Sequence, residues 1–276
     1  MPYVECCLRS DLLQTRVNVS LYFPNDLPPE IGCETKGTLT LLHGYTNSGA
    51  DWMQMSSAAR YAADNGLALI CPSCQNSFYQ DTYRGAWKTF VAEEMPELLS
   101  RTFRFPRARE RNFIAGLSMG GYGALYLALS RPELYAGCAS FSGVVDVQML
   151  LDSMPTEMRR PLASAFDCED TGKIPAESSL YTLAPRVAAL PAAQQPKILM
   201  TNGLEDTEIY KVKQQNDALC AVLRTLPLAD FQRMEWHGVH EWKFWDRSLV
   251  YAIDHFLGNG YAAQKHEDWR AEPIVT

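Results

Sequence analysis

Short apolar runs recur along the chain and alternate with longer stretches whose apolar positions repeat with a helical period. Short runs rich in β-branched and aromatic residues predict strands. The predicted strands are YVECCLRS (3–10), TRVNVSLYF (15–23), GTLTLLHG (37–44), LALICPS (67–73), RNFIAG (111–116), YAGCASFSG (135–143), KILMTNG (197–203) and DFQRMEWHG (230–238). The predicted helices lie at about 50–65, 84–103, 119–130, 207–226 and 242–257. Asp206 or Thr207 is the predicted start of the fourth helix.

The order of these elements predicts the fold class. The first two strands alternate apolar and polar residues and lie close enough in sequence to pair as an antiparallel hairpin. The later strands alternate with helices, which predicts a mostly parallel sheet covered by helices on both faces. Eight strands of which the first two are antiparallel are the plan of an α/β-hydrolase sheet. We therefore expect an α/β protein with the α/β-hydrolase fold.

One segment departs from this alternation. Residues 145–195 separate two predicted strands by about fifty residues, which is too long for a simple crossover loop. The segment predicts a small, largely helical, cap-like insertion over the carboxyl edge of the sheet, where such folds bind ligands. Because the chain contains no linker, low-complexity tract or internal repeat, the sequence predicts a single domain spanning residues 1–276.

The charge balance narrows the range of partners. The formal net charge is −7 and the isoelectric point is near 5.3. Such a surface would repel phosphate backbones, so nucleic acid is not an expected partner. The N-terminal stretch MPYVECCLRSDLLQ carries charges and lacks the long apolar core of a secretory signal. No apolar stretch approaches the roughly 20 residues that span a bilayer. We expect a cytoplasmic protein without a membrane partner.

The 8 cysteines are scattered along the chain rather than spaced as a small disulfide framework. Cys71 and Cys74 form a C-x-x-C pair, a spacing that redox motifs and zinc sites also use. The residues that follow predict a loop instead of the helix that a redox motif needs, and no second pair completes a zinc site. We interpret these thiols as incidental, because a free cysteine in an apolar run behaves as a small apolar side chain.

The stretch NFIAGLSMGGYGALYLALS, residues 112–130, places one serine among four glycines. Its GLSMG segment, residues 116–120, is a G-x-S-x-G motif between a predicted strand and a predicted helix, the context of a nucleophile elbow. Such a turn strains the backbone at the serine and brings the flanking residues so close that side chains would clash. A phosphate-binding turn would also be rich in glycine, but its lysine is absent. Ser118 is therefore the predicted nucleophile.

A serine hydroxyl needs a basic partner to act as a nucleophile at neutral pH. In this fold the acid and then the histidine follow the serine along the chain. His43 precedes the serine, whereas His255 lies in a predicted helix and His266 in the polar tail. His237 and His240 remain, in EWHGVHEWKFW. His240 lies in a loop from which its ring can reach across the sheet edge, so it is the predicted base. We interpret His237 as a packing residue at the end of the last strand.

The stretch KILMTNGLEDTEIY supplies the candidate acid. Glu205 and Asp206 follow a predicted strand directly, at the place where the acid loop of this fold follows the penultimate strand. Asp206 could instead only cap the next helix, which is common for aspartate. Asp146, after FSGVVD, is a weaker candidate, and Glu205 is the adjacent alternative. Asp206 is the predicted acid.

The predicted chemistry also needs two N–H donors for the charge that develops on the attacked oxygen. His43, Gly44 and Tyr45 follow a predicted strand in LTLLHGYTNSG, where the fold supplies one backbone donor. The residue after the nucleophile supplies the other. We assign the oxyanion hole to the backbone N–H groups of Tyr45 and Met119, and we interpret His43 as a residue that braces its loop.

Several stretches resemble the esterase D group of α/β-hydrolases, especially its bacterial tributyrin esterase and cinnamoyl esterase branch. They are LLHGYTNSGADW, NSFYQDTYRGAWKTFVAEEMPELL, AGLSMGGYGAL, NGLEDTEIYKVKQQNDAL and GVHEWKFWDRSL, which together span about residues 39–250 in the same order. Ser118, Asp206 and His240 fall on the triad positions of that family. The resemblance implies hydrolysis of small carboxylic esters without a metal or cofactor, by a homodimer or homotetramer.

Departures from the family pattern bear on the substrate. S-formylglutathione hydrolases of this group carry S-G-L-T-C at the oxyanion strand and G-H-S-M-G-G-H-G at the elbow, whereas this chain has HGYTNSG and GLSMGGYG. That thioesterase activity is therefore the alternative, together with acyl transfer to an alcohol by the same triad. An inactive binding protein on this fold is disfavoured because every catalytic element is intact. We expect a serine carboxylesterase that acts on short-chain acyl esters, acetylated or feruloylated sugars among them.

Overall fold

The computed structural model describes residues 2–24, 35–207 and 210–265. These residues contain ten strands and eleven α-helices. The strands are β1 (Tyr3–Ser10), β2 (Thr15–Tyr22), β3 (Gly37–Leu42), β4 (Leu67–Pro72), β5 (Asp81–Thr82), β6 (Gly85–Ala86), β7 (Asn112–Leu117), β8 (Gly137–Phe141), β9 (Lys197–Gly203) and β10 (Phe231–Trp236). The helices are α1 (Asp51–Met55), α2 (Ala58–Asn65), α3 (Trp87–Thr89), α4 (Met95–Phe103), α5 (Met119–Ser130), α6 (Val147–Ser153), α7 (Thr156–Ala163), α8 (Leu180–Ala188), α9 (Val212–Leu223), α10 (Trp242–Leu257) and α11 (Tyr261–Lys265).

Eight of these strands form one sheet in the order β1-β2-β4-β3-β7-β8-β9-β10. β1 pairs antiparallel with β2, and β2 pairs antiparallel with β4. Every further pair, from β4 across to β10, is parallel. The predicted α/β-hydrolase fold, with a mostly parallel eight-stranded sheet and helices on both faces, is therefore confirmed.

The core lies in two apolar layers, one on each face of this sheet. Leu39, Leu41 and Phe113 belong to the layer that contains α1, α2 and α10. Ile114 and Ile198 belong to the opposite layer, which contains α4, α5 and the helices that follow β8. Successive strand side chains point to opposite faces, so a strand covered on both sides is apolar at every position. This is why the central strands read as continuous apolar runs in the sequence.

Two predicted helices differ from the structure. The stretch 50–65 contains both α1 and α2, because Ser56 is extended (φ −134°, ψ 172°) and breaks the helix. The N–H of Ser57 donates to Asp246 Oδ1 at 2.6 Å, which anchors this break to α10. The stretch 84–103 begins in the short β5–β6 ribbon, so its helix starts only at Trp87. A π-helical turn at Phe90–Glu94 then leads into α4.

The segment between β8 and β9 contains α6, α7 and α8, and α8 packs on α5. The Tyr122 hydroxyl of α5 donates to the backbone oxygen of Ser178 at 2.6 Å. Gln80 Nε2 donates to the Tyr122 hydroxyl at 3.0 Å, and Ser178 Oγ donates to Gln80 Oε1 at 2.7 Å. These buried hydrogen bonds join the segment to the helix that begins at the carboxyl end of β7.

The cysteines that the structure describes are free thiols. Cys71 and Cys74 are fully buried in the apolar core, and burial raises the pKa of both thiols. Cys33 lies outside the described residues. In the described part of the chain no three His, Cys, Asp or Glu side chains are grouped so that they could hold a metal ion. None of the helices described is both long enough and apolar enough to cross a bilayer.

Candidate active site

Ser118 lies at the junction of β7 and α5 in an unusual backbone conformation (φ 54°, ψ −116°). A positive φ is strained for residues other than glycine and often marks a functional turn. Cβ atoms at Gly116 and Gly120 would overlap neighbouring backbone carbonyl oxygens, so neither position has room for a side chain. Backbone bonds fix the turn, from Ser118 N–H to Phe141 O at 2.9 Å and from Val144 N–H to Ser118 O at 3.2 Å. The strand–turn–helix arrangement expected of an elbow is present.

The His240 imidazole lies beside this serine, in the loop between β10 and α10. Its Nε2 is 2.9 Å from Ser118 Oγ. The ring packs edge-on against Trp245, with centroids 5.0 Å apart, and in a tilted arrangement against Tyr210, with centroids 5.6 Å apart. The two aromatic rings restrict rotation of the imidazole and keep Nε2 directed at the hydroxyl.

Asp206 lies on the far side of the His240 ring, with Oδ2 2.9 Å from Nδ1. An ionised carboxylate only accepts hydrogen bonds, so His240 Nδ1 carries the proton and donates it. The unprotonated Nε2 is then free to accept from the Ser118 hydroxyl. Because the Asp206 side chain is buried, little water competes for this hydrogen bond. The structure thus brings the predicted nucleophile, base and acid together in one line.

The predicted start of the fourth helix at Asp206 or Thr207 is wrong. Helix α9 begins at Val212, after Lys211, which has a left-handed backbone conformation (φ 51°). Such a residue interrupts a right-handed helix, so no helix can run from Asp206 into α9. The carboxylate of Asp206 is therefore free of a capping role and available to the imidazole.

Glu205 and His237 form a second acid–imidazole pair next to the first. Glu205 Oε1 is 2.7 Å from His237 Nδ1, and Glu205 Oε2 accepts from Gly238 N–H at 2.7 Å. The Gly238 N–H and the His237 ring hold the pKa of Glu205 below its ordinary value. The prediction that His237 packs at the strand end is wrong, because its exposed ring bonds to a carboxylate instead.

The other candidates from the sequence take no part in the hydrogen bonds that join Ser118, His240 and Asp206. Asp146 Oδ1 caps α6 by accepting from Met149 N–H at 2.9 Å, and its Oδ2 accepts from the Tyr181 hydroxyl at 3.0 Å. His255 lies on α10, with Nε2 3.5 Å from Asp230 Oδ1. His266 lies outside the described residues.

Two backbone N–H groups flank the serine. A Cβ at Gly44 would lie 3.6 Å from Ser118 Cβ, which places the loop after β3 directly beside the nucleophile. Met119 is the first residue of α5, so its N–H has no acceptor within its own helix. For the Tyr45 N–H, too, the described residues supply no acceptor. Both predicted donors are thus near the serine and uncommitted.

His43 fixes the peptide that carries one of these donors. Its Nδ1 is 2.7 Å from Gly44 O, and its Nε2 is 2.9 Å from Cys74 N. A carbonyl only accepts and a backbone N–H only donates, so the ring is neutral with the proton on Nδ1. Burial lowers the pKa of His43, which keeps it in this form. Because a trans peptide points its C=O and N–H in opposite directions, the bond to Gly44 O sets the direction of the Tyr45 N–H.

A partly buried ionic network centred on Arg233 is a feature that the sequence reasoning missed. Arg233 Nη2 donates to Asn202 Oδ1 at 2.9 Å, to Asp217 Oδ1 at 2.6 Å and to Glu235 Oε1 at 2.8 Å. These bonds tie the carboxyl end of β9 to β10 and α9. The sequence FQRMEW does contain a signal for this network, because Arg233 and Glu235 are two positions apart and their side chains therefore lie on one face of a strand. The contacts of Tyr210 and Trp245 with His240 were missed as well.

The Esterase family model, described as “Putative esterase”, matches residues 10–256. The chain belongs to this esterase family. This match agrees with the resemblance to the esterase D group found in the sequence, so that resemblance is confirmed. The chain is an esterase, an enzyme that hydrolyses carboxylic ester bonds.

Individual relatives of this esterase agree with that assignment. An acetyl esterase of Caldicellulosiruptor saccharolyticus is 28% identical over 92% of this chain and 97% of its own. The fluorophosphonate-binding serine hydrolase F of Staphylococcus aureus superposes with a TM-score of 0.76 at 25% identity, covering 93% of this chain and 98% of that one. An S-formylglutathione hydrolase of Agrobacterium tumefaciens shares the fold, with a TM-score of 0.73 at 21% identity over 94% of each chain.

Proposed function

We propose that the protein is a serine carboxylesterase in which Ser118 is the nucleophile, His240 the general base and acid, and Asp206 the residue that orients the imidazole. The observation that carries this proposal is the continuous line from Ser118 Oγ to His240 Nε2 at 2.9 Å and from His240 Nδ1 to Asp206 Oδ2 at 2.9 Å. These distances lie within hydrogen-bond reach, which is the geometric requirement for base activation of a serine.

In the acylation step Ser118 Oγ attacks the ester carbonyl carbon while His240 Nε2 takes the hydroxyl proton. The carbonyl oxygen becomes an oxyanion, which the Tyr45 and Met119 N–H groups bind. Asp206 keeps the proton of the imidazole on Nδ1 and stabilises the imidazolium that forms. When the tetrahedral intermediate collapses, the alcohol oxygen leaves with the proton from His240 Nε2, and the acyl group stays on Ser118.

The deacylation step repeats this sequence with water. His240 Nε2 removes a proton from a water molecule as the water oxygen attacks the acyl carbon. The same two N–H groups bind the second oxyanion. Collapse of this intermediate returns the proton to Ser118 Oγ and releases the carboxylic acid. No group other than these residues and water is needed to balance the reaction.

We further propose short-chain acyl esters as substrates, with the segment 145–195 acting as a cap that helps to hold them. The acetyl esterase among the relatives supports a small acyl group. A cavity of about 440 Å³ lies against this segment and is lined in part by Tyr122, Val145, Ile174 and Leu180. Val145 adjoins Val144, whose N–H binds Ser118 O, which links one lining residue of the cavity to the elbow through the backbone.

The nucleophile assignment is tested with Ser118→Ala on 4-nitrophenyl acetate and 4-nitrophenyl butyrate. We expect kcat to fall by at least about 10³-fold, because the remaining groups provide no nucleophile. Ser130→Ala, at the other end of α5, is the matched control and should keep wild-type rates. A fluorophosphonate probe should form an O–P bond to Ser118 with loss of fluoride, so that a peptide containing Ser118 gains the mass of the probe less HF. Undiminished turnover by Ser118→Ala, or labelling elsewhere, would refute the assignment.

The substrate class is tested with esters graded by acyl length, with acetylated and feruloylated sugars, and with S-formylglutathione. We expect kcat/KM to decline as the acyl chain lengthens and the thioester to be a poor substrate. Product analysis with an added alcohol separates hydrolysis from acyl transfer. Preference for the thioester or for the alcohol acceptor would replace the proposed substrate class and leave the triad assignment intact.

A further inference from the structure

Asp206 and His240 arise from two loops that also touch through Glu205 and His237. We propose that Glu205 and His237 are positioning residues, which hold the loop 237–240 against the acid loop 203–206 and so fix the distance between Asp206 and His240. The inference rests on the triad proposed above. It also explains why the acid loop carries two adjacent carboxylates, each bonded to a different imidazole.

The two loops are joined by backbone as well as by side chains. Leu204 N–H donates to Trp236 O at 3.1 Å, and Glu205 N–H donates to Gly238 O at 3.3 Å. A Cβ at Gly203 would overlap the Gly238 carbonyl oxygen, so the loops approach as closely as backbone atoms allow. Within this approach, Glu205 Oε2 accepts the Gly238 N–H and Oε1 holds the His237 ring. One side chain therefore anchors two consecutive residues of the loop that carries His240.

The exposure of this pair excludes a large contribution to folding. The side chains of His237 and Glu205 are 67% and 49% exposed, against 22% and 7% for His240 and Asp206. Exposed ion pairs contribute little stability, because water competes for both partners. Glu205 is also poorly placed to be the acid, since both of its carboxylate oxygens are engaged by His237 and Gly238. What the pair can determine is where the following residues lie.

Loss of this anchor should loosen the Asp206–His240 hydrogen bond rather than the fold. Val239 and His240 follow Gly238 directly. The His240 ring depends on two distances of 2.9 Å, one from Nδ1 to Asp206 Oδ2 and one from Nε2 to Ser118 Oγ. A displacement of about 1 Å at a reacting group can cost about 10²-fold in rate. The rate of the chemical step should therefore fall, while substrate affinity, which other residues provide, should change little.

Two conservative variants separate the effect of the length of the Glu205 side chain from the effect of its charge. Glu205→Gln removes the charge but keeps the length, one oxygen for Gly238 N–H and an N–H for the His237 ring. Glu205→Asp keeps the charge but is one methylene too short to reach both partners. We expect kcat on 4-nitrophenyl acetate to stay within about threefold for Glu205→Gln and to fall about tenfold for Glu205→Asp, with KM within about twofold in both. His237→Ala, which spares the Gly238 contact, should lose about threefold.

A spectroscopic readout separates positioning from a general effect on the fold. The proton between His240 Nδ1 and Asp206 should give a low-field resonance in the proton NMR spectrum of the full chain. We expect this resonance in the wild type and in Glu205→Gln, and we expect it to broaden or disappear in Glu205→Asp. Asp230→Ala is the matched control, because it breaks another carboxylate–imidazole contact, with His255, beside the opposite end of β10. It should leave both the resonance and kcat unchanged.

Wild-type kcat in Glu205→Asp, or a loss in Glu205→Gln as large as that in Glu205→Asp, would overturn the positioning role. The second result would mean that the charge of Glu205 matters as much as its reach, which a purely positioning role does not predict. Asp206→Asn provides the reference for loss of the acid itself. If Asp206→Asn is inactive while all Glu205 variants are wild-type, the positioning proposal alone fails. If Asp206→Asn retains full activity, the triad fails, and the positioning proposal fails with it.

Discussion

The two sides of the candidate active site are built differently. On the nucleophile side, Ser118 and the loop 43–45 are fixed by backbone packed against backbone, with glycines where no side chain fits. On the base side, the loops 203–206 and 237–240 are joined by two backbone hydrogen bonds and, in addition, by hydrogen bonds of side chains, several of which are exposed. The nucleophile side resembles a protein interior, and the base side resembles a surface.

The position of each side in the sheet explains the difference. Ser118 follows β7, which has β3 and β8 as neighbours near the centre of the sheet. His240 follows β10, which is the edge strand of the sheet within the described residues and pairs there with β9. Fewer neighbours bury less apolar surface, so the geometry at the edge depends on polar contacts. Apart from substitutions of Ser118 itself and of His43, we therefore expect changes on the nucleophile side to act mainly through stability, and those on the base side mainly through rate and pH.

The largest expected effect on the base side is that of Asp206→Asn. An asparagine can donate to His240 Nδ1 and so favours the tautomer whose proton lies on Nε2, where it cannot accept from Ser118. We expect kcat to fall by about 10³–10⁴-fold, with Tm within about 3 °C of the wild type. Steady-state kinetics and thermal unfolding measure the two quantities. A loss of less than tenfold in kcat would contradict the role of Asp206.

Matched glycine substitutions compare the two sides directly. Cβ atoms at Gly120 and at Gly203 would each overlap a backbone carbonyl oxygen, of Leu42 and Gly238 respectively. We expect Gly120→Ala to destabilise by about 3–5 kcal/mol, because β3 cannot move. Gly203→Ala should cost about 1–2 kcal/mol, because the exposed loop can yield, but should lower kcat markedly. Urea unfolding measures the loss of stability in each variant. Equal losses would remove the distinction between the two sides.

His43 is the polar exception on the nucleophile side. His43→Ala leaves the Cys74 N–H without its buried acceptor, which should cost about 1–3 kcal/mol. It also releases the Gly44–Tyr45 peptide, so we expect kcat/KM to fall by about 10–10²-fold, less than for complete loss of an oxyanion donor. Kinetics on 4-nitrophenyl acetate test this expectation. Unchanged kcat/KM would show that the Tyr45 N–H needs no such support.

The smallest expected effect is the pH dependence that Glu205 gives to stability. Hydrogen bonds from Gly238 and His237 lower the pKa of Glu205 from its ordinary value of 4.5. Its stabilising contribution is therefore complete above about pH 4.5 and is lost as the pH falls through the lower pKa of the folded state. We expect the wild type to exceed Glu205→Gln in Tm by less than about 3 °C at pH 6.5, because the pair is exposed. The difference should shrink as the pH falls through that lower pKa. A difference that grows on acidification would contradict this sign.

Local patterns in the sequence predict the nucleophile side well. The glycines at 116 and 120 and the apolar runs before and after them indicate both the turn and its neighbours within one short stretch. The central strands were predicted correctly for the same reason, since burial on both faces requires apolar residues throughout. His240 could be chosen because the chain order of this fold leaves few histidines to consider.

The base side was harder to predict because its contacts join residues that are distant in sequence. The partner of His237 is Glu205, and no local pattern pairs them, so an exposed histidine was interpreted as a packing residue. The start of α9 was misplaced because Asp206 is a common helix cap, whereas here the left-handed Lys211 ends the loop. The predicted helix at 84–103 includes β6 because two-residue strands are too short to show alternation.

At Ser118 thermal stability and catalysis make opposite demands, because the backbone conformation favours glycine and the proposed chemistry needs the serine hydroxyl. A glycine there would adopt φ 54° without penalty, and strain of this kind costs about 1–3 kcal/mol. Replacing Ser118 with glycine would therefore raise the thermal stability and remove the nucleophile. Selection of this chain for thermal tolerance alone, without an activity screen, should favour that substitution.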